Sequence, residues 1–142
     1  MRREVDSGLE LDDDRGRVDV AAVHRYLAEE SYWARGRAYA DVEALVNEAA
    51  RVVGLYDGDR QIGFCRAARC APGLFYLADV YVLEAYRGHG LGVELVREMV
   101  EAGPLADAAA AGLGDRAFRE ALSVVTSSYE EHGGFRLRTL SA

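Results

Sequence analysis

The chain has 142 residues, half of them hydrophobic and 29% charged, with 17 basic against 24 acidic side chains and a net charge of −7. Length and apolar content suit one domain over residues 1–142 with a real core, and no apolar run reaches the roughly 20 residues that crossing a bilayer needs. The basic residues are scattered through an acidic sequence of pI near 5.0, which argues against a nucleic-acid partner.

The opening stretch, MRREVDSGLELDDD, is polar and acidic and lacks the apolar segment of a secretion signal, so the cytoplasm is the expected compartment and no membrane partner is expected. A short strand is expected at Leu9 to Leu11, followed by an Asp/Gly-rich turn. Val20, Val23, Tyr26 and Leu27 then recur at helical spacing behind a candidate cap, Asp19, and predict a helix over about 18–30. Val42, Leu45, Val46 and Ala49 repeat the pattern and predict a second helix near 40–50. Between them SYWARGRAY is aromatic, basic and broken by glycine, as a loop would be.

Asp57-Gly58-Asp59 separates two strand-like runs, a strong hairpin signal. A turn at Ala71-Pro72-Gly73 leads into LFYLADVYVL, rich in aromatic and β-branched residues, which makes three successive antiparallel strands. Leu91, Leu95, Val96, Met99 and Val100 mark a further helix, ended by Gly103-Pro104. Residues 105–121 are Ala-rich and interrupted by Gly112 and Gly114, so helical turns of uncertain register are expected, then a strand at 122–126 and a last one at about 135–140. This order describes an α+β sandwich, a sheet flanked by helices.

Cys65 and Cys70 stand four residues apart with no nearby histidine, and His24, His89 and His132 show no ligand spacing, so no metal is expected. Reduced, half-buried thiols are the expected state. His24, among apolar helix positions, is a packing residue on the simplest view.

The segment EAYRGHGLGVEL places Arg87-Gly88-His89-Gly90-Leu91-Gly92 between a strand and a helix. A helix N-terminus directs free amide N–H groups at one spot and carries partial positive charge, so an anion suits it, and glycines admit a bulky one. The P-loop is disfavoured because no Lys-Ser/Thr pair follows, and the dinucleotide fingerprint because the glycines fall as G-x-G-x-G behind an antiparallel meander. Tight turning alone is the simpler alternative.

R-x-x-G-x-G at 87–92, preceded by LADVYVLEAY, resembles the acetyl-CoA signature of the GCN5-related N-acetyltransferase (GNAT) family, and the element order along most of the chain is similar to that family's. The resemblance implies a mixed, mostly antiparallel central sheet with the strand before the loop splayed from a following parallel strand. It implies acetyl-CoA as cosubstrate, the pantetheine arm on the backbone of Val80, Tyr81 and Val82, and the pyrophosphate on Arg87, Gly88, His89, Gly90, Leu91 and Gly92. It further implies direct acetyl transfer to a primary amine of a small molecule or peptide, with no covalent enzyme intermediate, and it allows a homodimer.

An alkyl ammonium of pKa about 10.4 must lose a proton before attack, and a leaving thiolate of a thiol of pKa about 8.5 gains from a donor. Tyr129, in SSYEEHGGF, falls about where the family places a tyrosine general acid, although Y-E-x-x-G-F carries one extra residue here. Asp79 is the leading candidate base, with alternation setting Asp79, Tyr81 and Leu83 on one strand face; hydrogen bonding to neighbouring groups is its alternative role. Glu29, Glu30, Tyr32 and Trp33, where the first helix meets its loop, are candidate substrate contacts; surface charge and core anchoring are the plainer roles. A catalytically inactive acyl-CoA-binding sensor of the same fold, and an interaction module without cofactor, are the competing functions.

Overall fold

The computed structural model describes residues 2–72, 74–101 and 137–139. The elements run β1 (Arg2–Val5), β2 (Leu9–Asp12), α1 (Val20–Glu29), α2 (Tyr39–Glu48), β3 (Arg51–Asp57), β4 (Arg60–Ala71), β5 (Leu74–Val82), α3 (Leu91–Glu101) and β6 (Leu137–Thr139). The six strands lie in one sheet in chain order, and every ladder among the described residues is antiparallel. The architecture is α+β. The parallel strand expected at 122–126, the Ala-rich helical turns, the Gly103-Pro104 stop and Tyr129 lie outside the described residues.

Local sequence explains most of these elements. Asp19 caps α1 by accepting from the Ala22 amide at 3.0 Å, and Val23, Tyr26 and Leu27 form its buried stripe. Gly58 takes φ +60° in the turn between β3 and β4, which Asp57-Gly58 foretells. β1 had no sequence signal: RREV is too polar to read as a strand, and it forms because it pairs with β2 and because Arg3 reaches Glu98 and Glu94 on α3 at 2.9 and 3.3 Å.

The helices sandwich the sheet. Cys65 and Arg66 are neighbours on β4; Cys65 lies against α3, its Sγ 3.9 Å from the Leu95 carbonyl, whereas Arg66 meets Asp79 together with groups of the α1–α2 loop. Successive strand residues point to opposite faces, so α3 covers one face and α1 with its loop the other. The core gathers Leu11, Leu27, Val53, Ile62, Leu77 and Leu95, among others.

Two features of the strands position the site. Phe64 pairs with Tyr81 and Arg66 with Ala78, so β5 holds one residue more than β4 over this interval, a bulge at Asp79–Val80, and Asp79 there takes φ +55°. On its other edge β5 pairs with β6 only at Phe75–Leu77, so among the described residues the segment 78–82 has no strand beside it there. The splay beside a parallel strand falls on residues outside those described; β5 is seen beside the antiparallel β6 at Phe75–Leu77.

Candidate active site

The loop after β5 is built as the glycine spacing suggests. Gly88 and Gly90 take φ +85° and +73°, the left-handed region that side chains resist, and a Cβ on either would meet nothing within 4 Å. Among the described residues nothing fills the space beside either glycine. The first helical bond of α3 runs from the Glu94 amide to the Gly90 carbonyl at 3.2 Å. Gly90 offers no side-chain cap, so the amides of Leu91, Gly92 and Val93 are available to an outside acceptor at the positive end of the helix. A cleft of about 680 Å³ opens here, lined by His89, Gly90, Leu91 and Val93 with Arg3 and Arg97.

Arg87 is oriented differently from the expectation. Its Nε donates to the Val82 carbonyl at 2.9 Å and its Nη2 to the Tyr26 hydroxyl at 2.7 Å, so the guanidinium ties the end of β5 to α1. The Tyr26 ring in turn stacks on Tyr81, centroids 3.9 Å apart and planes 9° from parallel. Burial raises the pKa of both phenols; the Arg87 charge opposes it at Tyr26, and Gln61 opposes it at Tyr81. Both hydroxyls stay protonated across the physiological range.

Val80, Tyr81 and Val82 are buried side chains on β5 beyond Leu77, the last residue it pairs with β6 among the described residues. Asp79 and Tyr81 do share a face, one meeting the α1–α2 loop and the other α1. Asp79, 1% exposed, accepts from Arg66 Nε at 2.6 Å, Trp33 Nε1 at 2.8 Å and Arg37 Nη1 at 3.1 Å. Burial by itself would raise its pKa; the charge and hydrogen bond of Arg66, with Trp33 and Arg37, outweigh it and hold the carboxyl below the ordinary aspartate value. Two guanidiniums around one carboxylate leave this cluster with a positive charge in excess. Sequence reasoning found Asp79 and Trp33 but not Arg37 or Arg66. A carboxylate in an otherwise aromatic and β-branched strand was the available signal, because a buried charge requires a partner.

A second cleft, of about 760 Å³, lies along α1. Tyr26, Gln61 and Tyr81 form its buried floor, and Glu29, Glu30, Arg25, Arg60 and Glu84 its charged rim. Glu29 and Glu30 are thus brought to one cavity. Trp33 is drawn instead to Asp79, and Tyr32, 60% exposed, rests edge-on against Trp33 with centroids 5.2 Å apart. His24 lies 3.0 Å from the Arg37 carbonyl through Nε2 and edge-on to Tyr39, holding the α1–α2 loop. The thiols are not half-buried as expected: Cys65 is fully buried, which pushes its pKa far up, and Cys70 is exposed. Among the described residues no cluster of three or more His, Cys, Asp or Glu could hold a metal ion.

The profile of the acetyltransferase (GNAT) family matches residues 20–113, about two thirds of the chain. The chain belongs to the GNAT family. A crystal structure of a protein assigned to the GNAT family, from Xanthomonas campestris pv. campestris, superposes with TM-score 0.60 at 27% identity over 68% of this chain and 66% of that one. The match thus falls just short of two thirds of that protein's length. A protein of unknown function from meticillin-resistant Staphylococcus aureus shares the fold, with TM-score 0.55 at 22% identity over 66% of this chain and 67% of that one. No curated protein matches. The matched GNAT segment contains α1, α2, the bulged β5, the glycine loop and α3, so it includes both clefts' principal walls.

Proposed function

We propose that the protein transfers the acetyl group of acetyl-CoA directly to a primary amine in a ternary complex. The observation that carries this is the first turn of α3, whose Leu91, Gly92 and Val93 amides no side chain caps among the described residues, beside Gly88 and Gly90, where a Cβ would meet nothing within 4 Å. The pyrophosphate sits on the amides of Leu91, Gly92 and Val93, and the pantetheine arm adds along 78–82 as a strand would. Arg87 serves by holding β5 to α1, and His89 lines the loop.

In the reaction the acceptor ammonium loses one proton, its nitrogen bonds to the thioester carbonyl carbon, and the C–S bond breaks as the second proton leaves nitrogen. CoA departs as thiolate and takes up one proton, so the balance is an amide, CoA thiol and one proton released. The excess positive charge of the Asp79–Arg66–Arg37 cluster favours the oxyanion and the thiolate. Asp79 itself is a weak base here, since its carboxylate is engaged by three donors; we assign first proton removal to Glu29 or Glu30, on the cleft rim. Tyr129 remains the proposed donor to the thiolate. A cytoplasmic protein is the compartment this chemistry suits, and among the described residues no helix is long and apolar enough to cross a membrane.

Calorimetry with acetyl-CoA, CoA, ATP and NAD on wild type and Gly90→Glu tests the cofactor. Heat from the two CoA ligands alone, lost in the variant, supports the assignment; no heat from any of the four refutes it. Thiol release with amines, and its loss in Tyr129→Phe, then separates an enzyme from an acyl-CoA sensor. The background is clean, because all 17 basic residues are arginine and the chain has no lysine to acetylate.

A further inference from the structure

The cleft along α1 carries charges of both signs, and their pairing state is informative. Several arginines among the described residues hold a carboxylate, as Arg3 holds Glu98 at 2.9 Å, Arg51 Asp13 at 2.9 Å and Arg17 Asp12 at 3.1 Å. Arg25 and Arg60 both line the cleft, and neither makes an ion pair among the described residues. Glu29, Glu30 and Glu84 stand on the same rim, likewise without an ion pair there.

Gln61, 5% exposed, closes the floor: its Oε1 accepts from the Asp19 amide at 2.8 Å, and its side chain hydrogen-bonds the Tyr81 phenol. An amine alone has no use for two arginines.

We infer that the acceptor is zwitterionic: a free amino acid whose carboxylate is taken by Arg25 and Arg60, while its amine meets the glutamate rim. This rests on the acetyltransferase assignment and narrows its acceptor. A bidentate guanidinium–carboxylate contact supplies orientation as well as affinity, and holds the amine at one end of the cleft, beside Tyr81 on β5. The stacked Tyr26–Tyr81 pair forms a flat apolar floor for the aliphatic or aromatic part of the molecule.

The test measures thiol release from acetyl-CoA with each standard amino acid beside its own carboxamide, in wild type, Arg25→Gln and Arg60→Gln. All three proteins are first titrated with acetyl-CoA. At least one amino acid should exceed its carboxamide by about thirtyfold in kcat/KM, and either substitution should cut that ratio about tenfold, through KM, with acetyl-CoA affinity kept within about twofold. Equal rates for acid and carboxamide, or an unchanged ratio in both variants, overturn the inference. So does a tenfold loss of acetyl-CoA affinity in the variants, since the cleft would then belong to the cofactor. If acetyl-CoA binds but nothing turns over, the transferase assignment fails by itself. Calorimetry of the same amino acids on CoA-loaded protein then decides the cleft, with heat lost in Arg25→Gln supporting it and no heat overturning it. Failure of acetyl-CoA to bind at all removes both.

Discussion

Replacing Asp79 with Asn removes one charge and little else. Asn has nearly the same shape and tolerates φ +55° at least as well, so the backbone bulge is preserved. What remains is Arg66, 9% exposed, and Arg37, 16% exposed at the side chain, with no anion between them. Breaking a buried ion pair from one side costs about 3–5 kcal/mol, because the surviving charge stays desolvated. Here one carboxylate serves two guanidiniums, which places the expected loss in the upper half of that range. Urea unfolding of wild type and Asp79→Asn measures it directly. Removing Arg66 as well, in Asp79→Asn/Arg66→Met, should restore about 1–2 kcal/mol, since the double variant no longer buries that charge. The pH dependence is also determined. A carboxyl with a lowered folded pKa contributes stability fully above its unfolded value of about 3.9 and loses it as pH falls through the lower folded value. The gap between wild type and Asp79→Asn should therefore be constant from pH 8 to 5 and close only below about 4. A loss under about 1 kcal/mol, or a gap that changes between pH 5 and 8, would refute the ion-pair account. A variant that kept its stability and lost only kcat would return Asp79 to the role of base.

Gly54→Ala should be strongly destabilising, because its Cβ would clash with the Tyr56 ring and hydroxyl, which Arg17 covers. We expect about 1–3 kcal/mol and a lowered Tm, and a Gly54→Ala/Tyr56→Phe double variant that recovers part of it. Gly90→Ala should cost about 1–2 kcal/mol through its φ of +73° and weaken acetyl-CoA binding with no loss of packing, seen as a Tm shift together with a raised Kd. Under native conditions an aromatic disulfide reagent should titrate one of the two thiols quickly, and Cys70→Ser should abolish that reaction. Cys65 should react only on unfolding, since it is buried and its thiol is held protonated.

Most of the fold could be read from residues close together in the chain. Asp19 and its helix, the Asp57-Gly58 hairpin, the strand LFYLADVYVL and the glycine loop each declare themselves within a few positions, because caps, turns and periodicity act over that range. β1 escaped because its support is distant, Arg3 meeting residues 91 and 95 positions away. The candidate site divides in the same way. The glycine loop proposed to receive an anion lies in one stretch of six residues, so spacing alone exposed it. Asp79 was found, but its part in the molecule was not, since Arg66, Arg37 and Trp33 come from 13, 42 and 46 positions away. Gln61, likewise, is fixed by an amide 42 residues distant, and nothing near it in sequence marks its buried nitrogen.

By itself, then, the sequence determined most of the order of elements, the glycine loop and the family, all of which rest on local backbone preference and on glycines where side chains are not tolerated. Only the tertiary structure decided that Asp79 is clamped rather than free, that Arg87 faces α1, and that Arg25 and Arg60 share one cleft with Glu29, Glu30 and Glu84. Charge interactions depend on which groups come within a few ångströms after folding, and on how much water is left between them. Sequence separation carries no information about either.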